Sequence, residues 1–233
     1  MNLFYLGPKY RREFLDNILK NCFLEYQDLL KKYEIILKSR NKLLKNINLG
    51  LSKIDEINFW DNNFILLSEK IYKYRIDLIN FLKENISENK IFFQNNNVEV
   101  SFDYISKTNL GDILGSIKQY LDKNLQRDIL IGKTQIGPHI DDFDILINGQ
   151  KIINFASRGE TKSIIMNLKK IEMDYIKLKT LKNPILLIDD LSSELDEKHI
   201  NSFMKKTNKY QTFLTSILPL NIEELEKINI IKK

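Results

Sequence analysis

A chain of 233 residues holds one large domain or two small ones, and 43% hydrophobic with 29% charged residues is the composition of an ordinary globular protein. Its net charge of +5 and pI of about 9.0 admit an acidic partner such as nucleic acid without requiring one, because the basic residues are mostly Lys beside abundant Asn and Ile, as an AT-rich genome encodes. The single cysteine, Cys22, excludes an intramolecular disulfide and a multi-cysteine zinc site; with no apolar run near the ~20 residues of a membrane span and no secretory signal at the start, a reducing cytoplasm is the expected compartment.

The first half reads as helix. Leu15, Leu19, Cys22, Tyr26, Leu29, Tyr33, Ile36, Leu43 and Ile47 recur at steps of four and three, with Arg40 filling the one gap. Trp60, Phe64, Leu67, Ile71, Tyr74, Leu78 and Phe81 repeat the pattern. Such spacing keeps one apolar stripe on each helix, which core packing alone explains. Residues 48–59, with Asn48, Gly50, Ser52 and Asp55, read as a turn with an N-cap, so the stripes predict an antiparallel helical pair. Unbroken, residues 10–47 would extend roughly 55 Å at ~1.5 Å per residue.

From Lys90 the period changes. Ile91–Gln94 and Val98–Tyr104 flank Asn95-Asn96-Asn97 and predict a hairpin, since Asn tolerates the left-handed conformations of tight turns. A helix is expected over 109–124, strands over 132–136 and 143–147, and a turn at Asn148-Gly149 into 151–153. A helix over 160–178, a strand over 184–189, a helix over 196–207 and a strand over 210–215 follow. The run Ile185-Leu186-Leu187-Ile188 has no polar alternation and predicts a central strand buried on both faces. The alternation implies an α/β fold with a parallel sheet. The expected division is a helical arm domain with a small β-hairpin over 1–125 and an α/β lobe over 126–233.

The chemistry sits in the second region. Pro184 to Asp190 reads as a Walker B strand, a buried strand ending in two carboxylates. Asp189 stands at the C-terminal edge, where α/β folds bind ligands, and suits a Mg²⁺ contact. Asp190 suits the role of base or water-orienting group for attack on a γ-phosphate. Ser157-Arg158-Gly159-Glu160 leads into a helix, where a hydroxyl, a close backbone approach and the helix dipole favour an anion. The same residues also make an ordinary helix N-cap. Ser193-Glu194-Leu195-Asp196 follows the strand.

Together these segments resemble the RecF family of ABC-type ATPases. Ser157-x-Gly159-Glu160-x-Lys162 is similar to its signature motif and Ser193 to Asp196 to its D-loop. The pointers to RecF itself are Gly137-Pro138-His139-Ile140-Asp141-Asp142-Phe143, Pro8 with Arg11-Arg12-x-Phe14-Leu15-Asp16, and Tyr33-x3-Leu37-x2-Arg40-Asn41-x-Leu43-Leu44. The resemblance runs from Gly7 to about Ser216. It implies an incomplete ABC-type head lobe behind a helical arm, and a cytoplasmic DNA-binding protein that dimerises on ATP and helps load recombinase at single-strand gaps with RecO and RecR. It assigns Ser157, Gly159, Glu160 and Asp196 to the nucleotide, Asp189 to Mg²⁺, and Asp190 to catalysis, and it gives His139, Asp141 and Asp142 a functional reading beside the structural one. Departures are Ile140 where the family has Arg, Glu160 for Gln, the larger Arg158, and no His after the strand at 210–215, which leaves a switch role to Thr215 or Ser216. His199 carries no assigned role, and Lys31, Lys32, Lys42 and Lys45 read as a solvated helix face.

The family's P-loop has no counterpart in these residues. Gly132-Lys133-Thr134 tempts, but the position five before Gly132 is Arg127, and the triplet does not lead into a helix. Met1 therefore aligns well inside a complete RecF, the sheet is expected to show an exposed apolar edge, and a separate P-loop lobe is needed for turnover. Two readings stay open: an ATPase half-site, or a DNA- or partner-binding module without catalysis.

Overall fold

Two helices carry the first apolar stripe, where the periodicity predicts one. In a computed structural model that describes residues 3–88, 99–189 and 197–216, α1 (Pro8–Cys22) stops at Phe23, whose backbone is extended, and α2 (Leu24–Asn48) starts at once. The break is tertiary in origin. The Phe23 ring stacks on Tyr74 with centroids 4.9 Å apart, and the Tyr26 hydroxyl donates to Asp16 at 2.8 Å. After the short 3-10 turn Ile54–Glu56, α3 (Ile57–Glu88) returns along α2. Tyr26 meets Tyr74, Tyr33 meets Phe64, and Arg40 meets Asp61, which is the expected antiparallel pairing.

β1 (Val100–Ile105) is the second arm of the expected hairpin; the first arm and Asn95 to Asn97 lie outside the described residues. The next helix, α4 (Ile113–Ile131), is shifted C-terminally from 109–124. Asp112 sets its start by accepting the Gly115 N–H, and left-handed Gly132 ends it. The strand expected over 132–136 does not form. Thr134 donates both its N–H and its hydroxyl to Asn41 Oδ1 at 2.8 Å, so a side chain satisfies the backbone that a sheet would otherwise pair.

β2 (Asp142–Ile147) turns through Asn148 and Gly149, both at positive φ, into β3 (Gln150–Lys151), in a three-stranded sheet of order β1-β2-β3. The strand expected over 151–153 ends at Lys151, because Ile152 begins the one-turn helix α5 (Ile152–Phe155) and buries its side chain there. Then come α6 (Arg158–Thr180), β4 (Leu186–Ile188), α7 (Glu197–Thr207) and β5 (Thr212–Leu214). β4 and β5 pair in parallel, as the alternation implies, with Leu186 opposite Thr212 and Ile188 opposite Leu214.

The expectation that β4 is buried on both faces is overturned. One face, Leu186, Ile188 and Leu214, packs on Met166 of α6 and on Ile200, Phe203 and Met204 of α7. The other exposes Ile185, Leu187 (75% exposed) and Phe213. The local run is apolar throughout, but among the described residues helices pack on one of its faces. Compactness divides the chain into two units, one of Met1–Tyr5, Phe81–Phe102 and Ile145–Lys233, the other of Leu6–Asn80 with Asp103–Asp144. No helix among the described residues is long and apolar enough to cross a membrane.

Candidate nucleotide-binding site

The candidate residues stand on two separate features, the C-terminal ends of β4 and β5 and the start of α6. Parallel register brings Asp189 and Thr215 side by side, just past Ile188 and Leu214. The Thr215 N–H donates to Ile188 O at 2.9 Å, continuing the ladder by one step. Its hydroxyl donates to Asp189 Oδ1 at 2.6 Å. Asp189 is exposed, so its carboxylate is held in place while remaining open to a ligand. A lone carboxylate of this kind matches what Mg²⁺ needs beside phosphate oxygens and waters: hard oxygen donors, few of them from protein. Among the described residues no cluster of three His, Cys, Asp or Glu forms a cage that would bind a metal without such help.

At the start of α6, Ser157 is the N-cap. Its Oγ accepts the Glu160 N–H at 3.2 Å, and Glu160 Oε2 accepts the Ser157 N–H at 2.8 Å, a reciprocal capping box. Thr161 Oγ1 also donates to Ser157 O, at 2.9 Å. The cap reading of these residues is therefore realised. It leaves the anion reading standing, because a hydroxyl that accepts one bond still has its own proton to donate. Gly159 is exposed with nothing near the place a Cβ would occupy, so a ligand can approach its backbone closely. The Glu160 carboxylate is committed to the cap. Asp190, Asp196 and the Ser193 to Asp196 segment lie outside the described residues, as does the side chain of His199.

His139, Asp141 and Asp142 fall in the other unit, within a buried polar network. Gly137 turns the chain at φ +113, where a Cβ would lie 2.8 Å from Phe64 Cζ and 3.0 Å from the Tyr33 hydroxyl. The His139 Nε2 lies 3.1 Å from Thr134 O, which can only accept, so Nε2 carries the proton. Nδ1 then accepts from the Tyr33 hydroxyl at 2.6 Å. Burial, opposed in part by the Thr134 bond, pushes the imidazole pKa down to about 4, so it stays neutral. Asp141 accepts from Tyr104 and Ser106, each at 2.8 Å, and burial holds it above the usual carboxylate range. Asp142 receives a fork from Arg11, Nε at 2.6 Å and Nη2 at 2.7 Å.

Two arginines complete that network. Arg40 is fully buried and donates to Asp61 at 2.6 Å, Asp128 at 3.1 Å and Thr134 at 2.8 Å. Burial outweighs the attraction of Arg40 and holds both carboxylates above their usual range. Arg75 donates to Asp16 at 2.9 Å and to Pro138 O at 2.6 Å. The periodic stripe of the sequence includes Arg40 but passes over Arg75. A signal for it is nevertheless present: Arg75 stands four residues after Ile71 and three before Leu78, on the apolar face.

No family model matches the chain. Curated relatives do: the DNA replication and repair protein RecF of Ruminiclostridium cellulolyticum is 34% identical over 90% of this chain and 58% of its own length. RecF of a Thermoanaerobacter species is 32% identical over 92% and 60%, and that of Pseudoalteromonas translucida 34% over 95% and 60%. Two solved structures of the recombination mediator protein RecF in the RecFOR pathway superpose closely. The one with ATPrS has a TM-score of 0.82 at 28% identity, covering 95% of this chain and 61% of that one. The one with ATP gives 0.81 at 29%, covering 94% and 60%. The chain thus spans about three-fifths of the length of the relatives it matches, and it belongs to the RecF family.

Proposed function

We propose that this chain acts in DNA repair and recombination as an ATPase half-site, binding DNA and completing a nucleotide site that a P-loop lobe supplies from elsewhere. The observation that carries the reading is the exposed Asp189 carboxylate, braced by Thr215 at the C-terminal edge of a parallel strand pair in a RecF chain. Asp189 would hold Mg²⁺ and Asp190 would orient the attacking water. The Ser157 hydroxyl and the Gly159 N–H would face the γ-phosphate of ATP held by an opposing P-loop, with Glu160 fixing Ser157 and Asp196 closing the D-loop side. When bound, Mg²⁺ supplies charge neutralisation on the phosphates. The apolar face of Ile185, Leu187 and Phe213 suits the docking of the P-loop lobe. By analogy with the RecFOR pathway, RecO- and RecR-like proteins are the expected partners, with ATP-dependent dimerisation and recombinase loading at gaps as the setting.

The test is turnover by the chain combined with a P-loop-bearing RecF lobe. Asp190→Asn is expected to slow hydrolysis roughly a hundred- to ten-thousand-fold. Unchanged turnover removes Asp190 from catalysis. Absence of any turnover with bound DNA intact would instead mark a binding module.

A further inference from the structure

Lysines are distributed differently on the two units. On the helices of the Leu6–Asn80 unit the lysine ion pairs are one to one with a neighbouring acid, as in Lys9 with Glu13, Lys38 with Glu34 and Lys73 with Glu69. On the face formed by the second half of α6 and the segment from α7 into β5, two ammonium groups share one carboxylate. Asp174 accepts Lys170 Nζ at 2.6 Å and Lys209 Nζ at 2.8 Å, and also the Tyr210 hydroxyl at 2.6 Å. Lys177 lies over the Tyr210 ring at 5.8 Å, beside Lys209 over the same ring at 5.1 Å. Burial, with the charge of Lys170, pushes the Lys206 ammonium down to about 8. Lys205 is exposed on the next position of α7.

We propose that this face, with Lys177 and Lys209 foremost and Lys170 behind them, binds the phosphate backbone of DNA. The inference rests on the DNA-binding reading above and gives it a surface. Asp174 offsets one of the three charges of Lys170, Lys177 and Lys209, and a string of phosphates can neutralise the remainder while releasing counterions. The cluster contains lysines and no arginine. Lysine is a point charge that neutralises phosphate without geometric selectivity, whereas protein interfaces favour arginine and are depleted in lysine. That composition favours a sequence-independent backbone contact over an acidic protein surface. Tyr210 is buried beneath the lysines and fixes their stems.

The experiment measures binding of the intact chain to a fluorescent DNA duplex across a salt series, without nucleotide. Lys177→Ala with Lys209→Ala is expected to lower affinity and to reduce the slope of log affinity against log salt by about 1.8, which is roughly 0.9 for each phosphate left without its cation. Lys177→Arg with Lys209→Arg keeps the charges and is expected to keep the slope, which separates charge neutralisation from misfolding. Lys31→Ala with Lys32→Ala, on the other unit, is expected to leave both values unchanged. If the parent chain binds no duplex at low salt, the DNA-binding reading itself falls and this surface with it. If the parent binds and the Lys177/Lys209 pair changes nothing, or if inorganic triphosphate at equal phosphate concentration displaces the duplex fully, the backbone assignment alone is overturned.

Discussion

The two units solve opposite problems. The Leu6–Asn80 unit with Asp103–Asp144 takes charges inside and matches them: Arg40 with two aspartates, Arg75 with Asp16, His139 between a hydroxyl and a carbonyl. The unit that contains β4 and β5 leaves apolar side chains outside: Ile185, Leu187 and Phe213 face solvent. A buried charge network fixes one arrangement of its helices, because any slip strands an unpaired ion. An uncovered apolar sheet face fixes nothing by itself and gains by being covered.

The largest expected effect that sharpens this contrast is at Arg40. Arg40→Ala leaves Asp61 and Asp128 buried without their cation and should destabilise the fold by about 3–5 kcal/mol in denaturant unfolding. A loss below ~1 kcal/mol would mean the network adds little rigidity.

Next comes His139, whose folded pKa of about 4 lies below the usual value of 6.5. A depressed pKa means that the neutral ring stabilises the fold fully above pH 6.5, and that this contribution fades as pH falls through about 4. At ~1.4 kcal/mol per pH unit the loss across that window is about 3 kcal/mol. The raised carboxylates of Asp61, Asp128 and Asp141 act in the opposite sense, gaining stability as acid protonates them. The readout is therefore a difference: His139→Gln should be less stable at pH 7 but lose less on acidification. Parallel pH profiles for the two proteins would refute the buried neutral ring.

The smallest effect belongs to the open face. Leu187→Ser should change the stability of the chain by no more than about 0.5 kcal/mol, since the side chain is 75% exposed. It should nevertheless weaken association with a P-loop lobe. A large loss of stability in the chain alone would show that the face is already covered in solution.

The candidate site was read from sequence because its segments are local. A strand ending in Asp189, and a Ser-x-Gly-Glu segment opening a helix, are sequence-adjacent patterns, and the capping box at Ser157 follows from three-residue spacing. The antiparallel pairing of α2 and α3 followed from two stripes and a turn. Periodicity missed what depends on distant partners. Phe23 breaks the first helix because Tyr74, some fifty residues on, receives its ring. Residues 132–136 fail to become a strand because Asn41 takes the Thr134 N–H.

By itself the sequence determined the family, most of the helices, the parallel strand pair and the residues that end at its C-terminal edge, since composition, period and motif are properties of neighbours in the chain. Tertiary structure alone decided that His139 is a neutral, doubly bonded core residue, that Arg75 is buried against Asp16 and the Pro138 carbonyl, and that β4 exposes one face among the described residues. Those outcomes depend on what stands across the core from each side chain, and burial and hydrogen-bond partners at long range are set by the packing of elements that no local pattern encodes.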